Sequence, residues 1–477
     1  MTSCRLTSWE LAIVLGIGAA TITSFLATYA MSLRLNILSL SGALFILVAL
    51  IATTRALYLR DSLLDPIYLA FYAYALFIGI GPLLDELIPP SALRESMEPT
   101  AWVAVMSWGG LAALAFGYRT ITRKAVQSGE VVTAEAKERP DKRQVLLWGG
   151  IILTLVGIVG IAVFLVGNGG LSFLLDTAYG TREYPAFYVA TSAMLRPGLF
   201  LLIAWALVGK RQSHALWVLL FAFMCFDLVW FGPLSGSRNQ IITLVLTLVY
   251  LAKFIPGRTA IFGTRFLRGS WLIVVGLVLT LLWGGLRTYS VAELVSDSPA
   301  NLNVFASAEV MAAESFYAPY EGFVGAIDLV PSKVPYGLGR TLLDSLTVVI
   351  PRAVWPSKHG SFGVWLSDTL YGAGLTANSV PTWPGELYFN FGWIGLILGM
   401  YATGVACARM AQSKSKERDG QPDVWCGLMA AVWFPLPFVW IWGGSNTAAW
   451  HILLNVMPIW VVFQVSGFLR GLFATVE

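Results

Sequence analysis

Three arginines stand apart from the basic stretches of this chain. Arg238 ends a small-residue turn, GPLSGSR; Arg287 closes an apolar run in WGGLRTY; Arg352 lies in IPRAVWPSKHGSFG, with Lys358 and His359 close behind. A guanidinium stays charged at any working pH, and its planar fork fits phosphate oxygens two at a time. Three such forks on one membrane face can hold a pyrophosphate. The competing reading is that arginines at helix ends reach for lipid headgroups. For Arg352 that reading is weaker, because the residue sits between Pro351 and a Trp-Pro-Ser-Lys turn. A second group lies in PTWPGELYFNFGWI, residues 381–394, where Glu386 is followed by Tyr388, Asn390 and Trp393. A partly desolvated carboxylate can act as a general base, and neighbouring rings suit stacking on the faces of sugars. The plain alternative is a headgroup-level turn with its aromatic belt. Asp368 and His359 are the other candidates for the base. Arg196 and Asp227 form a third pair, each inside an apolar run. Ionisable groups there are costly and face a cavity or each other, so an ion pair joining two helices and a substrate contact both stay open.

These residues need a scaffold, and the composition says which kind. The chain has 477 residues, 57% hydrophobic and only 12% charged, where soluble proteins carry roughly a quarter. Apolar blocks about twenty residues long suit helices crossing a hydrocarbon core of about 30 Å. The fold class expected is therefore all-α and polytopic, with twelve spans near 9–31, 36–53, 66–84, 100–118, 145–167, 188–208, 214–232, 239–256, 270–286, 393–409, 425–443 and 448–468. Basic residues favour the cytoplasmic side. With both termini cytoplasmic, the inner segments hold 21 of the 31 Lys and Arg and 11 of the 27 acidic residues, a net of +10 inside against −6 outside.

Three regions follow. Residues 1–286 hold nine spans, with a polar cytoplasmic linker at 119–143 that has no apolar periodicity. Residues 287–392 form a long outer segment, far above the usual two to eight residues between packed helices. It is rich in Tyr, Trp, Pro and Gly, and its short apolar pieces, such as 341–350, suit helices lying on or dipping into the interface. Residues 393–477 hold the last three spans. Cys4, Cys225, Cys407 and Cys426 lack CxxC spacing, and His214, His359 and His451 are scattered singly, so no metal site, cofactor or disulfide framework is expected. The net charge of +4 is dispersed, and no nucleic-acid partner is expected. Membrane lipids are the partner that composition implies.

The long outer segment in the second half of the chain, PRAVWPSK at 351–358 and GELYFNFGWIG at 385–395, resembles the Wzy-type repeat-unit polymerases of O-antigen and capsule. Arg352 and Gly363 also match an arginine-to-glycine spacing found in some of them, although Ala193 stands where a second copy counted from Arg182 would need glycine. The resemblance implies a GT-C-like polymerase or ligase architecture in a bacterial inner membrane, and metal-independent transfer of glycans carried on undecaprenyl pyrophosphate at the periplasmic face. It implies catalytic roles for Glu386, Arg352 and Arg238, and substrate contacts from Arg287, Lys358, His359, Arg196, Tyr388, Asn390 and Asp368. A co-polymerase that sets chain length is an expected partner. O-antigen ligases, which pass glycan to lipid A-core, share the architecture and depend on an outer-loop histidine, which keeps His359 in view. A transporter or flippase of lipid-linked sugars would instead need binding groups near the membrane midplane, on broken helices.

Overall fold

The computed structural model describes residues 41–49, 65–79, 81–83, 101–128, 142–170, 173, 186–208, 214–231, 238–254, 318–348, 350, 354–355, 362–371, 382–413 and 424–474. Among them the fold is all-helical and no residue forms a strand. The expected spans at 9–31 and 270–286 lie outside the described residues, and of the span at 36–53 only 41–49 is described, as helix. Five helical stretches are long and apolar enough to cross a membrane: Pro66–Leu83, Arg143–Gly167, Phe187–Leu207, Trp383–Gln412 and Leu436–Ser466.

In chain order the helices are α1 (Pro66–Tyr74, continued by a π-turn at Ala75–Gly79), α2 (Ala101–Ser128), α3 (Lys142–Gly167), α4 (Ala186–Ser192), α5 (Leu195–Val208), α6 (His214–Phe231) and α7 (Arg238–Phe254). After these come α8 (Ala318–Leu329), α9 (Arg340–Leu346), α10 (Phe362–Tyr371), α11 (Trp383–Ser413), α12 (Val424–Trp433), α13 (Leu436–His451, continued by a π-turn at Ile452–Val456) and α14 (Met457–Ala474). Asp65 starts α1 by accepting the Ile67 N–H at 3.1 Å, and Pro66 at the first position suits a helix start.

Glycine sets the closest helix contacts. In α2 and α11, a Cβ on Gly117 would meet the Tyr401 carbonyl oxygen at 2.1 Å, and one on Gly404 the Leu114 carbonyl oxygen at 2.1 Å. Only hydrogen fits at either position, the small-residue packing typical of helices in lipid. In α3, Gly157 meets the backbone of Leu195 in the same way. The other face of α3 exposes Trp148, Ile152, Val159 and Val166. An apolar face of that length suits lipid rather than water.

Two of the long stretches are bent back at glycines. Gly392 (φ 65°, ψ −157°) interrupts α11 and Gly444 (φ 71°, ψ −167°) interrupts α13, both in the left-handed region that favours glycine. The Trp383 indole N–H donates to Thr403 Oγ1 at 3.0 Å, yet a straight helix would separate those residues by roughly 30 Å. Residues 383–391 therefore lie antiparallel against 393–413. In the same way His451 Nε2 donates to the Val432 carbonyl at 3.0 Å, where a straight helix would hold them roughly 28 Å apart. The arm formed by α12 and residues 436–443 thus turns at Gly444 and returns as 445–474. The reversals fall beside the expected span limits at 393 and at 443–448.

Two regions of the expected layout are described in part. The linker at 119–143 is helical up to Ser128 and again from Lys142, because a charged stretch rich in Lys, Arg, Ala and Gln continues a helix as readily as it forms a coil. Of the short helices of the long segment, α8 lies largely inside the protein. In α8, ten of the twelve residues are buried, Glu321 among them, because the helix packs against both the π-turn after α1 and α11.

Candidate active site

The two glycine reversals leave helix ends inside the protein, and a helix end must find partners for its backbone groups. At Gly392 the unpaired carbonyls belong to Phe389 and Asn390. The Gly337 N–H donates to Phe389 O and the Leu338 N–H to Asn390 O, each at 3.0 Å. Leu338 is held at φ 49° to do so. Next in line, the Gly339 N–H donates to Asn390 Oδ1 at 2.9 Å. Asn390 Nδ2 donates to Thr341 Oγ1 at 2.7 Å and to the Glu386 carbonyl at 2.8 Å. Asn390 thus ties α9 to the short arm of α11, using both halves of its amide.

At Gly444 the unpaired group is the N–H of Ser445, the first of the returning helix. Glu386 Oε2 accepts it at 2.6 Å, and Glu386 Oε1 accepts the Ser445 hydroxyl at 2.5 Å. A carboxylate is well placed at a helix N-terminus, where the backbone dipoles present positive charge. The Ser445 hydroxyl also meets the Ser345 hydroxyl at 2.6 Å, and Ser345 Oγ lies 2.9 Å from the Thr341 carbonyl. Glu386 is 1% exposed and Asn390 fully buried. The result is a buried carboxylate bonded to the Ser445 hydroxyl, with the Ser345 hydroxyl next in line, where α9, the short arm of α11 and the tip of the last hairpin meet.

Aromatic rings close the site on one side. Phe389 lies against Phe362 and Trp365 of α10, with ring centroids 4.7 and 4.6 Å apart. Tyr388 is buried, while Asp368 is exposed on α10.

A second polar cluster lies deeper along the last hairpin. Arg196 Nε and Nη2 donate to Asp227 Oδ2 at 3.1 and 2.8 Å, and both residues are buried. Arg196 Nη1 reaches Gln240 Oε1, and Thr243 Oγ1 at 3.4 Å. Both oxygens of Asp227 are buried, and Oδ1 has no hydrogen-bond partner. Gln240 and Thr243 in turn line a cavity of about 250 Å³ with Trp442, Thr447, Trp450, His451 and Asn455. Arg196 and Asp227 form an ion pair, which joins α5 to α6 and adds α7 through Gln240.

Of the expected site residues, Glu386, Tyr388 and Asn390 lie on one short helix instead of on a turn leading into a span, with Asn390 on the face of Glu386. Their separation of two and four residues places them within about one turn. Arg238 is the first residue of α7. Arg287, Arg352, Lys358 and His359 lie outside the described residues. Among the described residues no three His, Cys, Asp or Glu side chains gather closely enough to hold a metal ion. Sequence reasoning missed Ser445, Ser345 and Thr341. The signal for Ser445 was the WGGSN break in a long apolar run, where a polar residue beside two glycines marks a new helix start; nothing marked the other two.

The described residues are all-helical, and their long apolar helices suit a membrane. No known protein family, curated protein or solved structure matches it.

Proposed function

We propose that the chain is a glycosyltransferase that joins oligosaccharide repeat units carried on undecaprenyl pyrophosphate, acting as a polymerase for O-antigen or a related polysaccharide. In this reading it has about twelve spans in a GT-C-like arrangement. It lies in a bacterial inner membrane with both termini cytoplasmic, and works at the periplasmic face. The observation that carries the reading is Glu386, a carboxylate 1% exposed and bonded to the Ser445 hydroxyl, in the same long segment as Arg352. The acceptor in such a reaction is a sugar hydroxyl, a poor nucleophile at neutral pH. A positioned carboxylate that takes its proton contributes about a hundredfold or more. The acceptor oxygen bonds to the anomeric carbon of the growing chain as the bond to pyrophosphate breaks. Arg352, Arg238 and Arg287 stabilise the charge that the pyrophosphate carries away. Lys358 and His359 extend the donor site, and a co-polymerase sets the length of the product.

A second reading has its own observation. The cavity between α7 and α13, beside a buried ion pair and along a helix broken at Gly444, is the kind of feature a transporter of lipid-linked sugars would use. Purified protein in liposomes, supplied with lipid-linked repeat units alone, separates the readings. A product ladder rising by single repeats supports the polymerase. Units that stay single but change leaflet support the transporter, and glycan that moves only when lipid A-core is added points to a ligase.

A further inference from the structure

We infer that Ser445 carries the proton between the acceptor hydroxyl and Glu386, an assignment that rests on the glycosyltransferase reading. The argument starts from access. Glu386 is 1% exposed, and both of its oxygens are taken by Ser445, one by the backbone N–H at 2.6 Å and one by the side-chain hydroxyl at 2.5 Å. A bulky sugar cannot reach the carboxylate without breaking the contact that caps the returning helix. Ser445 itself is only half-buried. Of the two bonded residues it is the one with surface left exposed.

With Glu386 ionised, as a general base is before the step, valence sets the direction of the Ser445 bond. An ionised carboxylate only accepts, so the single Ser445 proton points at Glu386 Oε1. The one Ser345 proton is accepted by the Thr341 carbonyl at 2.9 Å, and the Ser345 hydroxyl turns from that carbonyl to donate across its 2.6 Å contact with Ser445. Ser445 Oγ accepts that bond and keeps one lone pair for an outside donor. An acceptor hydroxyl there would complete a short chain ending at the carboxylate. As its oxygen attacks the anomeric carbon, its proton passes to Ser445 Oγ and the Ser445 proton passes to Glu386 Oε1. The electron pair of the breaking bond leaves with the pyrophosphate. Glu386 ends protonated and Ser445 unchanged, and the carboxylate returns its proton to water by the same route. The bond from Ser345 holds the Ser445 hydroxyl in line, which makes Ser345 a positioning residue.

The geometry also separates this role from a structural one. The cap on the returning helix includes the Ser445 backbone N–H, which survives any substitution of the side chain except proline. Ser445→Ala keeps that bond and loses the hydroxyl on which the relay depends. The test measures chain extension by purified protein on lipid-linked repeat units, for the parent, Ser445→Ala, Ser445→Thr and Glu386→Gln. The expected result is a kcat at least about tenfold lower for Ser445→Ala with the acceptor KM little changed, and recovery of most of the rate by Ser445→Thr, whose hydroxyl restores the relay. If Ser445→Ala extends chains like the parent while Glu386→Gln does not, the relay is wrong and the glycosyltransferase reading stands. If the parent itself extends nothing under conditions where it is folded, the underlying reading fails and takes the relay with it. Should Ser445→Ala not accumulate, Ser445→Gly removes the same hydroxyl at a helix start that tolerates glycine, and parental turnover by that variant overturns the proposal.

Discussion

Glu386 has a structural task that is measurable apart from any reaction. Its two oxygens accept the backbone N–H and the hydroxyl of Ser445 at a site 1% exposed to solvent. Glu386→Ala removes both acceptors and leaves a helix-start N–H without its partner. A hydrogen bond to a charged group contributes about 1.5–3 kcal/mol, and a buried donor left unsatisfied costs about 1–3 kcal/mol. Charge at a helix N-terminus adds about 0.3–1 kcal/mol. These contributions overlap, since the same N–H appears in two of them, and the expected loss is about 3–5 kcal/mol. Glu386→Gln behaves differently. Its amide oxygen can keep the Ser445 N–H, and the Ser445 hydroxyl can turn to accept from the amide nitrogen, so both contacts survive as neutral bonds at a cost of about 1–2 kcal/mol. Thermal melting of detergent-purified protein should rank the parent above Gln and Gln well above Ala. An Ala variant that melts with the parent would refute the capping role, and a Gln variant as unstable as Ala would refute the exchange of hydrogen bonds.

The remaining expectations are more local. Gly392→Ala should destabilise by about 1–2 kcal/mol through its left-handed backbone alone, and further because the new Cβ would sit 3.0 Å from the Tyr336 hydroxyl; a melting temperature equal to the parent's would sink the reversal there. Asp227→Asn leaves the buried Arg196 uncompensated and should cost about 3–5 kcal/mol, whereas the double change Arg196→Met with Asp227→Leu should recover most of it; equal melting of the single and parent proteins would mean the pair contributes no net stability. Arg352→Lys and Arg238→Lys keep a positive charge but lose the bidentate fork, so chain extension should fall sharply at normal protein abundance. Parental extension by either would make that residue a headgroup anchor.

Much of the helical layout was legible because it rests on local pattern. Gly392 and Gly444 interrupt long apolar runs, and such interruptions mark span ends whatever the rest of the chain does. Glu386 stood out as an acidic residue in an aromatic, apolar setting, and its burial accounts for that setting. Asn390 was read as a substrate contact, but its amide is used internally, by Gly339 and Thr341 from about fifty residues earlier. No local pattern reports such a pairing. Ser345 and Ser445 were invisible for the same reason: the contact between their hydroxyls spans one hundred residues, and a lone serine carries no signal of its own. The Arg196 and Asp227 pair was legible only as two open possibilities, since opposite charges in adjacent apolar runs pair as readily as they bind a ligand. The extension of α2 through Ser128 was missed because a charged segment without apolar periodicity reads the same whether it is coil or exposed helix.

The most direct test of the polymerase reading is the surface glycan of a strain lacking this protein, compared with the parent and with a strain carrying Glu386→Gln. The reading predicts that both altered strains display single repeat units on the lipid A-core or an equivalent acceptor, with the long polymer lost. A deletion strain that keeps the parental distribution of chain lengths would contradict it, and one whose core carries no repeat at all would move the chain to the ligases.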